Sequence, residues 1–140
     1  MQRTHFPPHG VYSLAIEGRI LVMHAQGPWN EELTSQYGVD VHQFTEALAG
    51  LPWALLGVVK REGVHTPESY RLQREILEAH RMKGRVATAI VFDYDDAPQI
   101  AKRVFDKLYT EAGEPHAFFD DEVSARIWLI ERLRLAGEGR

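Results

Sequence analysis

The residues of this 140-residue chain best placed to do chemistry are its clustered aspartates. Asp93, Asp95 and Asp96 follow the apolar run Val86 to Phe92, and Asp120 with Asp121 follows the short run His116 to Phe119. If both runs are strands of one open α/β sheet, their ends meet where such sheets hold ligands. Lys60 and His65 would reach the same edge. Carboxylates gathered there could hold Mg²⁺ and support a metal-dependent enzyme. The simpler role is a solvated turn whose aspartate caps the next helix, and it leaves no catalytic residue, no metal and no cofactor.

Other chemistries find less support. The seven histidines are dispersed, without the HExxH or HxH spacing that puts two ligands on one metal. No Gly-x-Ser-x-Gly elbow follows a strand, and the glycines stand singly rather than in a phosphate loop. With no cysteine, disulfides, thiolate metal sites and cysteine nucleophiles are excluded. Thr66 is a hydroxyl at a helix start, where the amides and dipole would favour a phosphate, while Glu68 would oppose one. Ser69 lies one turn further in. The aromatics Trp29, Tyr37, Phe44, Trp53 and Phe119 are ordinarily core. As a pocket, they would hold an apolar ligand beneath the first helix, a lid hinged at Gly27-Pro28 and Gly50-Leu51-Pro52.

The elements that must position these groups are organised around Pro52 to Phe92, a strand–helix–strand unit. Trp53 to Val59 is a short apolar run rich in Val and Leu, and Val86 to Phe92 is its twin. Between them Thr66-Pro67-Glu68 starts a helix with a cap, a proline at the first helical position and an acid at the positive end of the dipole, and Gly84 ends it. Upstream, Tyr12 to Ile16 and Arg19 to Ala25 flank Glu17-Gly18 as a hairpin. Asn30 caps a first helix with Leu33, Tyr37, Val41, Phe44 and Leu48 on one face. Gly38 inside it requires a break or a close contact. Downstream, Asp95 or Asp96 caps a helix with Ile100, Val104 and Leu108 inward, and Gly113 stops it. After the strand His116 to Phe119, Asp120-Asp121-Glu122 opens a last helix with Val123, Ile127 and Ile130 inward and Trp128 and Leu129 widening that face.

The series ββαβαβαβα predicts one α/β domain over residues 11–135, a mixed sheet with a parallel portion packed by helices. Residues 1–10 form an N-terminal extension, and 136–140 a flexible tail. The formal charge of −4 lacks the basic bias of a nucleic-acid protein. The arginines after Lys60 are interleaved with acids, Arg71 with Glu75 and Arg74 with Glu78 at i,i+4, as on a solvated helix face. No apolar run approaches the roughly 20 residues that span a bilayer, and the first helix has no lysine or arginine for anionic lipid. A soluble cytoplasmic protein is expected, with membrane association through the first helix kept as the weaker variant.

Five segments, GRILVMHAQGPW, LPWALLGVV, HTPESY with the helix behind it, RVATAIVF and FFDDEVSARIWL, carry a family resemblance. From Tyr12 to Leu129 the chain resembles a SpoIIAA-like protein of the STAS-like group. The resemblance implies a small α/β domain without chemistry of its own, similar to bacterial anti-sigma-factor antagonists and to the cytoplasmic domains of sulfate transporters. The general fold is also similar to lipid-binding CRAL-TRIO domains. In the antagonists, a serine in an Asp-Ser-Ser-Gly loop before the central helix is phosphorylated to switch partner binding. That pattern is absent from Glu62-Gly63-Val64-His65-Thr66-Pro67-Glu68-Ser69, which leaves Thr66 and, behind it, Ser69 as switch candidates, against the plainer reading that Thr66 is a helix cap and nothing more. The Asp-x-Asp after a strand is similar to that of haloacid-dehalogenase-type phosphotransferases, but it comes too late in the chain, and Asp96-Ala97 departs from their pattern. The expected function is non-enzymatic binding of a regulatory protein partner near the cap of the central helix. A small apolar or lipid-like ligand beneath the first helix and a metal-dependent enzyme on Asp93, Asp95, Asp96 and Asp120 are the alternatives, and a homodimer is compatible with each.

Overall fold

The chain alternates strands and helices in the order β1 (Gln2–His5), β2 (Val11–Glu17), β3 (Ile20–Gln26), α1 (Glu31–Leu48), β4 (Trp53–Lys60), α2 (Pro67–Met82), β5 (Arg85–Phe92), α3 (Gln99–Ala112), β6 (His116–Phe119) and α4 (Glu122–Glu138). The computed structural model describes residues 2–5, 11–27, 29–60, 66–93 and 99–138. Local chemistry accounts for most element ends. Gly18 turns the β2–β3 hairpin at φ 61°. The Asn30 side chain accepts from the Leu33 amide at 2.8 Å, and the Asp121 carboxylate accepts from the Ser124 amide at 2.7 Å, so each caps its helix. Gly84 closes α2 at φ 110°, where a Cβ would lie 2.7 Å from the Leu51 carbonyl oxygen; no other residue fits.

The six strands form one sheet in sequential order. β1, β2 and β3 are antiparallel neighbours, and β3 to β6 run parallel. The α/β class and the mixed sheet agree with the sequence. The residues assigned to an N-terminal extension, however, include a strand, with Gln2 to His5 paired against Ala15 to Tyr12. The supposed tail also changes: α4 continues through Glu138.

Side-chain alternation assigns the helices to faces. Trp53 and Leu55 of β4 pack with Tyr37, Phe44 and Leu48 of α1. Val59, on the same side of that strand, packs with Leu77 of α2 and Phe105 of α3. Ala54, Leu56 and Val58 point the other way, onto Ala125 and Leu129 of α4. Three helices thus share one face, and α4 alone covers the other.

Two inward faces differ from expectation. On α4, Val123, Ile127 and Ile130 are 69%, 65% and 59% exposed, while Ala125 and Leu129 are fully buried and Trp128 and Leu133 are partly so. The helix is apolar on more than one side, so periodicity alone could not tell which stripe meets the sheet. On α3, Ile100 is exposed and Ala101, Phe105, Leu108 and Tyr109 are buried, a face rotated from Ile100–Val104–Leu108. Gly38 makes the expected close contact: a Cβ there would lie 3.2 Å from Ile76 Cδ1 of α2. Of the expected i,i+4 pairs, Arg74 and Glu78 approach to 3.5 Å, and Arg74 also reaches Glu111 at 2.9 Å.

Candidate functional site

The cap of α2 is built as the sequence implies. Thr66 Oγ1 accepts from the Ser69 amide at 3.1 Å, Pro67 holds the first helical position, and the Thr66 amide donates to the Trp29 carbonyl at 3.1 Å. Thr66 is exposed. Ser69 is not: it is fully buried, and its hydroxyl pairs with that of Thr34 on α1 at 2.5 Å. Ser69 therefore ties two helices together and is not accessible as a switch, a correction to its place beside Thr66. From the cap, an open groove of about 340 Å³ runs between α2 and α3, lined by Thr66, Pro67, Tyr70, Val104 and Lys107. Lys107 Nζ lies 5.5 Å from the centre of the Tyr70 ring, within cation–π range. Tyr70 donates to Glu111 at 2.7 Å, and burial together with that bond raises its phenol to about 12, so it stays neutral.

The aromatic set divides. Trp29 and Tyr37 line a narrow cavity over the sheet. Phe44 and Trp53 are core in the same cluster, and the Trp53 indole donates to the Lys83 carbonyl at 3.1 Å. Phe119 belongs elsewhere: it packs on Trp128 on the α4 face, 5.9 Å between ring centres. A pocket shared by all five is excluded by the alternation of sheet faces. Nor is α1 built as a lid. Eight of its residues are buried. Arg19 also bonds the chain leaving it, donating to the carbonyls of Leu48, Leu51 at 2.8 Å and Pro52 at 3.1 Å. That guanidinium satisfies carbonyls a helix C-terminus leaves orphaned and pins the proposed hinge.

Of the edge carboxylates, Asp93 and Asp120 are exposed at the carboxyl ends of β5 and β6, and Asp93 approaches Lys60 Nζ at 4.0 Å. Asp95, Asp96 and His65 lie outside the described residues. Asp121 is spent on the α4 cap, whose bonds from Ser124 hold its carboxyl below the usual range. Among the described residues no cluster of three or more His, Asp or Glu could hold a metal ion.

The most concentrated electrostatics involve residues that the sequence reading passed over. Arg85, at the first position of β5 and 4% exposed, donates from Nε to Glu114 Oε1 at 3.1 Å and from Nη2 to Thr88 Oγ1 at 2.5 Å. The Thr88 hydroxyl in turn donates to Glu114. Glu114, also buried, accepts from Arg81 at 3.2 Å on its other oxygen. Burial opposes the Arg85 charge, but Glu114 together with the Tyr109 and Tyr37 phenols offsets it, and the guanidinium is held above its ordinary pKa. His80 sits 3.4 Å from Arg85 Nη1, and burial followed by the Arg85 charge pushes it down to about 3. The only sequence signal for this cluster was a pair of isolated charges, Arg85 and Glu114, bordering apolar strands.

Among the described residues no helix is long and apolar enough to cross a membrane. Comparison of the chain with protein-family models, curated proteins and solved structures gave no match.

Proposed function

We propose that the chain is a non-enzymatic, STAS-like regulatory module that holds a protein partner at the cap of α2. The observation that carries this reading is the groove from Thr66 to Lys107: apolar on Pro67 and Val104, and cationic at Lys107, which no carboxylate pairs among the described residues. It suits a partner segment with an apolar side chain beside an acid, the cation supplying orientation and the apolar floor supplying buried area. Thr66 stands at the mouth of the groove as the switch. A phosphate there would take up the free amides of the helix end and repel the partner's acid.

The test is comparative capture by wild type, Thr66→Asp and Lys107→Glu. Aspartate is itself a good helix cap, and Lys107 is exposed, so both variants should melt with the wild type. A species that wild type retains and both variants lose supports the reading. An identical set on all three proteins, or an empty one on wild type, removes it.

A further inference from the structure

Helix α4 spends only one of its two apolar stripes on the sheet. Ala125 and Leu129 are buried against β4 and β5, while Val123, Ile127 and Ile130 stand exposed on another side of the helix, covered by nothing among the described residues. Apolar residues scattered singly over a surface need no explanation. Three that adjoin along one line of a helix make a continuous strip, the kind of surface that marks an interaction.

The spacing indicates the shape of what covers it. Val123, Ile127, Ile130 and then Arg134 recur at four, three and four residues, the seam by which one helix packs along another. The ends of the strip indicate which helix. Exposed Asp120 stands just before its N-terminal end, and exposed Arg134 closes its C-terminal end. Turned end for end, the strip is complementary to itself, apolar in the middle with an acid meeting a base at each end. A parallel copy would set acid against acid and base against base. An antiparallel copy opposes both the side-chain charges and the helix dipoles. Arg134 does pair with Glu131 and Glu138 along its own helix, but ion pairs between exposed side chains are worth little and exchange readily.

We propose that α4 is the contact of a symmetric homodimer, two copies of the chain packing antiparallel along Val123, Ile127 and Ile130. The two-fold axis passes between Ile127 and Ile130. Ile127 then meets the partner's Ile130, Val123 lies against the aliphatic stem of the partner's Arg134, and that guanidinium reaches Asp120. With three apolar residues from each chain and no aromatic anchor the dimer is weak, and at the dilution of an unfolding experiment the chain is a monomer whose stability the strip does not affect. The contact lies on the opposite face of the sheet from the groove at the α2 cap, so each stands or falls alone.

Sedimentation equilibrium of the full chain over a series of concentrations reads the association. Wild type should pass from one chain mass to two as concentration rises. Ile127→Glu, which puts a charge into the middle of the seam, should weaken the association by about tenfold or more while the dilute chain melts with the wild type. Each charge reversal alone, Asp120→Lys or Arg134→Glu, should also weaken it, and the two together should recover most of the loss, because the pair is restored with its signs exchanged. A wild type that stays monomeric throughout overturns the proposal and leaves the strip to another protein or to a lipid surface. A dimer that Ile127→Glu leaves intact overturns it as well, and a double reversal no better than the single ones overturns the antiparallel arrangement. Should Ile127→Glu fail to fold, the charge exchange decides.

Discussion

Arg85 lies inside the protein against the Glu114 carboxyl group, and Thr88 occupies further hydrogen-bonding capacity on both. Such a pair adds little net stability over an apolar replacement, yet removing one member leaves an uncompensated buried charge. His80 shares this environment and responds oppositely: with burial disfavouring its charge, and Arg85 on β5 and Lys83 at the end of α2 both repelling a proton, it folds as the neutral base. Its folded pKa, about 3, lies below the unfolded value near 6.5, so the unfolded chain binds the extra proton between those limits. The stability due to neutral His80 is complete above pH 6.5 and is lost as pH falls toward 3. Urea unfolding at pH 6.5 and 5 should show wild type losing up to about 1.4 kcal/mol per pH unit from this group. His80→Gln should lose measurably less over the same window, above the range where most carboxylates titrate. Equal losses would mean that His80 takes up its proton without unfolding.

Helix α4 shows what periodicity can and cannot decide. Val123, Ile127 and Ile130 make one apolar stripe, and Ala125, Leu129 and Leu133 make another, so local pattern offers two inward faces and only the sheet selects between them. The selected face carries the small Ala125, which lets the helix approach Ala87 and Ala89 of β5 closely. Leu129→Ala should cost about 2–5 kcal/mol, the range for truncating a buried leucine. Ile127→Ser should stay within about 0.5 kcal/mol of wild type, as for an exposed site. Chemical denaturation of the two variants checks the orientation of α4 directly, and reversed costs would refute it. In α1 and α2 the pattern was less ambiguous. Each has a single apolar stripe and a legible cap, Asn30 or Thr66, and the glycine within α1 marked where α2 comes closest.

Sequential strand order governs the molecule as a whole. Right-handed crossovers that always step in the same direction place α1, α2 and α3 on one face. The other face is left to α4, which follows the last strand and is not bound by a crossover. β4, flanked on both edges and buried from Trp53 to Val59, is the centre of this arrangement, and α2 is its least anchored helix. Native-state hydrogen exchange should therefore be slowest along β4, near the limit of global unfolding, and faster in α2 than in α1 by one or more orders of magnitude. Equal protection of the two helices would show that α2 does not open separately. From the sequence alone came the element order, the caps of α1, α2 and α4, the hairpin at Gly18 and the α/β class, because each depends on a few adjacent residues and the period of side chains along the chain. The burial of Ser69, the separation of Phe119 from Trp29 and Tyr37, and the meeting of Arg85 with Glu114 beside Tyr37 were decided only by the tertiary structure. They depend on which sheet face each helix takes and how chain segments some 30 residues apart come together, and no local pattern encodes that choice.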